Sequence, residues 1–419
     1  MIIAALCNAN AGAARAAPAI PIHGRKTLSR QLRVAALLII ALLGAESVVA
    51  KPYTPAADSD VLERLPEKTD PSLRDVKRLR ASLSQHPDDL ALAVRLGRRA
   101  IEASRDTGDP RFLGQAQAAL APWWKLSDPP APALLLRATI KQSNHDFDGA
   151  FADLDRLIAA HPAHGQALLT RATVLTVQGK YRAARADCAR IAPLAVPLVF
   201  AACDAAPASL SGEAESAYLS LIGALSHASD ADGALREWAL TLAGEIADRR
   251  GDHAAAETHF RTALALDPRD PYLIAAYCDF LLDRGRPREV PPLVANQTRN
   301  DNLLLRLALA ERQLPAATSA FTQHRRELAD RFDAARRRGD SLHKREEARY
   351  LLTIEGDAGG SLRLARENWQ VQREPADLRI LAEAAGATGD AAALREVAEW
   401  TLANRLQYAA LRVPAGDGP

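Results

Sequence analysis

Aromatic residues are scarce, at 5% of 419 residues, and Val and Ile are thin beside Ala and Leu. That shortage excludes a large β-sheet protein, whose pleated faces call for β-branched and aromatic side chains. Charge of one sign is also lacking: 53 basic against 51 acidic residues leave a net +2. A dedicated nucleic-acid binder would carry a strong basic excess, so no nucleic-acid partner is expected. The hydrophobic share of 48% is too high for a disordered chain. Four cysteines at irregular spacings exclude a disulfide-dense scaffold. Catalytic signatures are missing as well. There is no G-x-S-x-G, no H-E-x-x-H and no Walker loop. The run Gly-Asp-Ala-Gly-Gly-Ser at 356–361 has glycines but no Lys-Ser/Thr to follow, and reads as a helix–helix turn. His161 and His164 flank Pro162 with no two further ligands nearby, so no metal site is expected. The chain is read as non-enzymatic, without a cofactor.

What is present begins with an N-terminal pattern. Arg25, Lys26, Arg30 and Arg33 precede an apolar run from Val34 to Leu43, and Val48-Val49-Ala50 supplies small residues after it. A basic region, a short apolar core and a small-residue exit predict a secretory signal peptide over 1–50, cleaved after about Ala50. The core is shorter than the about 20 residues a membrane-spanning helix needs. The competing reading is an uncleaved inner-membrane anchor. Cleavage would leave 369 residues with no long apolar run, hence no stable membrane span and a periplasmic or secreted location. The remaining cysteines are Cys188, Cys203 and Cys278. A Cys188–Cys203 bridge and three small buried apolar residues are both compatible with that spacing.

Residues 51–72 carry Pro52, Pro55, Pro66 and Pro71 and read as a linker. From 73 to 408, apolar residues recur at i, i+3, i+4 and i+7, broken by Gly-Asp, Pro or Asp-Pro, a helical punctuation throughout. Residues 409–419 read as a disordered tail. Self-similarity sharpens this. A shift of 34 carries Ala138 to Ala172, Asp146-Phe147 to Lys180-Tyr181 and Ala150 to Ala184. The same shift carries Leu240 to Ile274, Gly244 to Cys278 and Gly251 to Gly285. A period of this length with two helices per period is the mark of a helical solenoid. The clearest units are 131–164, 165–198, 237–270 and 271–299; residues 199–230 and 301–340 are degenerate.

The unit 237–270 carries Leu240, Ala243-Gly244, Ala247, Ala256, Phe260, Ala263 and Pro268. In these residues the chain resembles the tetratricopeptide repeat family. Composition and periodicity predict an all-α fold. The resemblance implies a right-handed α-solenoid of seven to nine antiparallel hairpins with a concave inner face. Small residues such as Gly244 and Ala256 would let helices approach, and Phe260 or Leu154 would fill between layers. Family likeness also implies that first helices line the groove. The matching inner positions are Leu135, Thr139, Gln142, Leu169, Thr173, Thr176, Thr241, Glu245, Tyr272 and Asp279. Those family members that clamp a chaperone's carboxylate tail use Lys and Asn here, whereas Leu and Thr occupy the sites in units 131–164 and 165–198.

The expected function is that of an exported interaction scaffold or adaptor holding a peptide or partner protein in its groove, such as an envelope assembly or secretion component. The alternatives are a membrane-tethered regulatory protein of the same repeat type, or an enzyme with a site in the degenerate repeats. Two further features have a functional and a plain reading. Arg325–Arg349 holds nine basic and six acidic residues, either an anion-docking patch or a solvated helix laced with ion pairs. Trp123-Trp124 is either an exposed hot spot or a packed loop closing a lengthened N-terminal repeat.

Overall fold

A computed structural model describes residues 71–411, except 295 and 338–343. The signal peptide expected over 1–50 and nearly all of the linker lie outside the described residues. The linker's last two positions, 71 and 72, already belong to a helix.

Among the described residues every regular element is helical. An N-terminal helix α1 (Pro71–Gln85) precedes α2 (Leu90–Thr107), α3 (Arg111–Ala119) and the single turn α4 (Ala121–Trp124). Two regular hairpins follow, α5 (Ala131–Ser143) with α6 (Phe147–Ala160) and α7 (Gly165–Val177) with α8 (Tyr181–Ile191). Next come α9 (Pro197–Ser209) with α10 (Ala214–Ser226), and α11 (Gly233–Arg250) with α12 (His253–Leu266). Then α13 (Pro271–Asp283) pairs with the short α14 (Val290–Val294), and α15 (Asp301–Arg312) with α16 (Thr318–Arg337). Last are α17 (Lys344–Tyr350) with α18 (Ala358–Trp369), and α19 (Pro375–Thr388) with α20 (Ala391–Ala403). With α2–α3, that makes nine hairpins among the described residues, each packed on its sequence neighbours. The chain is an all-α solenoid, and both segments that looked degenerate, 199–230 and 301–340, form hairpins too.

The turns show why Gly-Asp punctuates the sequence. Gly251 takes a left-handed φ of 86°, a conformation in which glycine meets no Cβ penalty and helices end. The next residue, Asp252, accepts a hydrogen bond from the Ala255 N–H and caps the second helix. The pairs 356–357 and 389–390 divide the same two tasks in the same way.

Packing follows the small-and-large pattern. A Cβ added at Gly244 would lie 2.8 Å from the Phe260 ring, so α11 and α12 approach only because that position lacks a side chain. Phe260 fills the space beside Tyr277 and Phe280, with ring centroids 5.8 and 5.7 Å away. The buried apolar residues form a chain of clusters along the array: one from α5 to α11, one from α11 to α15, one from α15 to α17.

Polar contacts repeat with the same period. Arg137 and Asp153, both buried, form a two-point ion pair at 2.8 and 2.7 Å. Thirty-four residues on, Arg171 pairs with Asp187 at 2.7 and 2.6 Å. Arg137 also donates to the Trp124 and Leu126 carbonyls at 2.8 and 3.0 Å, which pins the lengthened N-terminal loop. Trp123 and Trp124 are half-buried against the Leu120 cluster, so that pair packs as part of the loop. Cys188 on α8 and Cys203 on α9 are joined by a disulfide across a repeat boundary. Cys278 is a buried free thiol, pushed up to about 12 by burial. Of the tail expected over 409–419, the described residues 409–411 are held: the Ala409 N–H donates to the Arg249 carbonyl at 2.9 Å, and Leu411 packs on the C-terminal cluster.

Candidate functional site

The first helices of the hairpins face one another around a cavity of about 340 Å³. Its wall takes Ser104 from α2, Thr173 from α7, Cys203 from α9, Thr241 from α11, Tyr272 from α13 and Arg306 from α15. The opposite side comes from Arg349 on α17, Ile380 on α19 and Tyr408 beyond α20. The wall brings residues from opposite ends of the array onto the same space.

Six of the ten inner positions expected from the sequence line this cavity: Thr173, Thr176, Thr241, Glu245, Tyr272 and Asp279. Thr173, Thr176 and Thr241 turn their hydroxyls back onto the carbonyls one helical turn earlier, at 2.8 to 3.0 Å. Their hydroxyl protons are therefore used within their own helices, and the oxygens remain acceptors only. The Tyr272 hydroxyl donates to the Glu245 carboxylate at 2.6 Å. Burial raises the Glu245 carboxyl above the usual range, against the pull of Arg249, and burial likewise raises the Tyr272 phenol. Burial would also raise Asp279, but the Arg306 and Arg349 guanidiniums override it and hold that carboxyl well below its ordinary range.

The other four positions lie elsewhere. Leu135 and Leu169 are buried in the cluster that runs from α5 to α11. Thr139 is half-buried, its hydroxyl on the Leu135 carbonyl. Gln142 is fully buried, and neither atom of its amide has a partner. Of the six inner positions in units 131–164 and 165–198, Thr173 and Thr176 line the cavity and these four do not.

Sequence reasoning missed the arginines. Arg306, Arg345, Arg349 and Arg379 come from the late hairpins and line the cavity together with Glu346, Glu374 and Glu383. Arg349 reaches Asp279 at 2.7 Å. Arg379 grips Asp283 with two bonds of 2.6 and 2.7 Å. Among the described residues of the dense basic stretch 325–349, Arg325 pairs with Glu355, Arg331 with Asp301, Arg336 with Glu347 and Arg345 with Glu374. Arg331 and Arg345 are mostly buried in these pairs, whereas Arg325 and Arg336 stay half-exposed. No signal in one sequence marks which acid lies across the cavity from which arginine.

Beyond the cavity, the C-terminal residues run along the turns of three successive hairpins. Trp400 lies against Gly179, where an added Cβ would meet its ring at 2.5 Å. Arg405 covers Gly212, where a Cβ would fall 2.7 Å from its guanidinium nitrogen. Ala409 binds the Arg249 carbonyl. Among the described residues, no group of His, Cys, Asp and Glu could hold a metal ion, and no helix is long and apolar enough to cross a membrane.

The tetratricopeptide repeat model matches residues 218–335, the stretch that holds the Gly244–Phe260 approach and the acid-bearing wall. Residues 218–335 carry tetratricopeptide repeats. Among solved structures, the chain is similar to the TPR domain of P58(IPK), at 16% identity over 72% of this chain and 98% of that one, with a TM-score of 0.21. No curated protein matches the array.

Proposed function

We propose that the protein is a non-catalytic adaptor, exported from the cytoplasm, that takes a peptide segment of a partner protein on the inner face of its repeats. Tetratricopeptide repeats serve generally as protein-interaction scaffolds, and the coarse reading of a scaffold stands on that. The finer reading rests on one observation: first helices from eight hairpins converge on a single cavity whose wall mixes methyl groups, an aromatic ring and paired charges. Ligand sites are concave and mostly apolar with a few placed polar groups, which is the character of this wall. Export is supported by the basic-then-apolar N-terminus and by the Cys188–Cys203 bridge, since disulfides persist outside reducing compartments. A periplasmic envelope or secretion component is the partner class this reading favours.

Two experiments test it. A random-peptide display library is panned against the full chain. Selected peptides are expected to lose at least about tenfold in affinity, roughly 1.4 kcal/mol, on Thr176→Trp, which fills the cavity. They should be indifferent to Leu219→Glu, at an exposed site on α10. Binding that ignores Thr176→Trp overturns the inner-face reading. A phosphatase fused after residue 60 is expected to be active outside the cytoplasm, and an inactive fusion overturns export.

A further inference from the structure

The first two helices share an outer face that is basic and exposed. α1 turns Leu73, Val76, Leu79 and Leu83 inward, where they pack with Leu96 and Ala103 of α2 and Ala119 of α3. Apolar positions three or four apart leave the other side of a helix to solvent. That side of α1 carries Arg74, Lys77, Arg78 and Arg80, all exposed, within about half of the helix circumference. The one acid of α1, Asp75, is half-buried at the seam with α2. It accepts from Arg78 at 3.0 Å and lies 3.5 Å from Arg99. Beyond the seam the patch continues on α2. Arg95, Arg98 and Arg99 are exposed and, at i, i+3 and i+4, share a face. Glu102 on that face pairs with Arg99 at 2.7 Å. Asp88 and Asp89 lie in the turn, and Asp106 lies near the end of α2 beside Arg105. Residues 71–107 hold eight basic and five acidic side chains, a net +3 in a chain of net +2. Arg74, Lys77, Arg80, Arg95 and Arg98 have no ion-pair partner among the described residues. In the basic stretch 325–349, by contrast, Arg325, Arg331, Arg336 and Arg345 are all paired.

The character of this face selects among anionic partners. Protein interfaces carry an apolar centre, often aromatic. None of the exposed large apolar side chains among the described residues lies in α1 or α2, and residues 71–107 contain no Phe, Tyr or Trp. Single-stranded nucleic acid is held by bases stacked on aromatic rings, which are missing here. Anionic lipid headgroups ask for basic side chains alone. The sequence also brings a bilayer near. Read as a signal peptide or as an anchor, the apolar run Val34–Leu43 enters a membrane. Only residues 44–70 separate that run from α1, at most about 95 Å of chain. After cleavage, the basic face is what remains to hold the chain at that surface.

We propose that the outer face of α1 and α2 docks on the anionic phospholipid headgroups of a membrane. The contact is electrostatic, reversible and screened by salt. It leaves the cavity open: Ser104, which lines the cavity, stands two and a half turns from Arg95 and so on the opposite side of α2. The array is held by its first hairpin while its inner face stays free.

The test is co-flotation of the full chain with vesicles of phosphatidylcholine, with and without phosphatidylglycerol. Wild type is expected to bind the anionic vesicles at least about 25-fold more tightly than the neutral ones, at about fivefold per basic side chain near the surface. Lys77→Glu with Arg98→Glu is expected to lose most of that preference. Arg156→Glu with Arg182→Glu makes the same change in net charge at exposed sites on α6 and α8 and is expected to keep it. The run 34–43 is common to all three chains, so their differences report the patch alone. Equal urea midpoints check folding. Should the charge reversal unfold the chain, the milder pair Arg74→Ala with Arg95→Ala is held to the same outcomes. A wild type with no preference for anionic vesicles overturns the proposal, as does an equal loss in both reversal variants. Duplex DNA bound more tightly than the anionic vesicles, through Lys77 and Arg98, overturns the lipid assignment. Neither residue lines the cavity, so these outcomes and the response of display-selected peptides to Thr176→Trp are read independently.

Discussion

Between α11 and α12 the contact is a phenyl ring against a helix that has no side chain at that point, Phe260 on Gly244. Between α13 and α19 it is a guanidinium on a carboxylate, Arg379 on Asp283, beside a cavity. Helices adjacent in sequence meet through buried apolar surface, whose removal from water is worth about 25 cal/mol per Å². Helices brought together only by the curvature of the array meet through ion pairs, edge-on aromatic rings and backbone hydrogen bonds. The first kind of contact has to exist for any repeat to be stable, because each hairpin buries its face only on its neighbours. The second kind selects how tightly the array closes. A solenoid built this way has its stability in one set of contacts and its adjustable geometry in the other.

The sequential set should be the costlier to break. Phe260→Ala empties the space between α11, α12 and α13 and is expected to cost about 3–5 kcal/mol, read as a lower urea midpoint. A loss under about 1 kcal/mol would mean that the layers do not depend on these fillers. Next in size is the covalent link between neighbouring hairpins. The Cys188–Cys203 bridge spans 15 residues of sequence, and replacing both cysteines by Ala should cost about 3 kcal/mol. Thiol titration of the native chain should find neither cysteine free, and two reactive thiols there would contradict the bridge. Third is a cross-array contact. Trp400, packed on Trp369 of its own cluster, meets Tyr181 across the array at 6.3 Å between ring centroids, with the Arg373 guanidinium 4.8 Å over its ring. Trp400→Ala should cost only about 1–2 kcal/mol and should raise amide exchange in 404–411 while leaving α5–α13 protected. Equal deprotection of both regions would erase the distinction between the two kinds of contact.

The sequential contacts were also the legible ones. A hairpin needs a small residue where helices touch and a larger one between layers, and a stacked array repeats the need at a fixed interval, so Ala138, Ala172 and Gly244 announce themselves by spacing. The Gly-Asp turns are legible for the same reason, one residue supplying the left-handed turn and the next the cap. Even the buried pairs were within reach: shifting Arg137 and Asp153 by 34 lands on Arg171 and Asp187, a polar echo of the period. The α9–α10 hairpin hid because Pro207 sits inside the first helix and half of that helix's buried residues are Ala. The cross-array contacts were not legible at all. Which residue faces Asp283 depends on small rotations summed over many repeats, and Arg379 lies 96 positions away in sequence. For that reason the inner positions divide as they do: Thr241, Glu245, Tyr272 and Asp279 face the cavity, while Leu135 and Leu169, chosen by the same rule, serve as core.

The smallest expected effect is that of pH, and it too falls on both regions. Asp377, at the start of α19, accepts bonds from the Asn368 amide and the Glu374 N–H at 2.7 and 2.9 Å. Burial nevertheless pushes its carboxyl up to about 7, against the pull of Arg345. Glu237 on α11 is also pushed up to about 7, by burial and by Asp270. Both acids in the folded chain hold their protons to higher pH than in the unfolded chain. Between about pH 4 and pH 7 the folded state therefore binds more protons, and stability falls as pH rises through that window, then levels off above it. His259, lowered by burial, pulls the other way, since the unfolded chain takes up its proton first as pH falls through 6.5. Glu257, held at about 2 chiefly by Arg286, matters only in stronger acid, where its contribution is lost as pH drops below its unfolded value. The net expectation is that the chain is more stable at pH 5.5 than at pH 7.5. Asp377→Asn should flatten that slope by on the order of 1 kcal/mol, and should do so chiefly in the exchange of α19. Glu237→Gln should flatten it instead in α11. If both variants change the slope in α11 and α19 alike, the two walls of the cavity open as one unit, and the polar boundary between them is no boundary in energy.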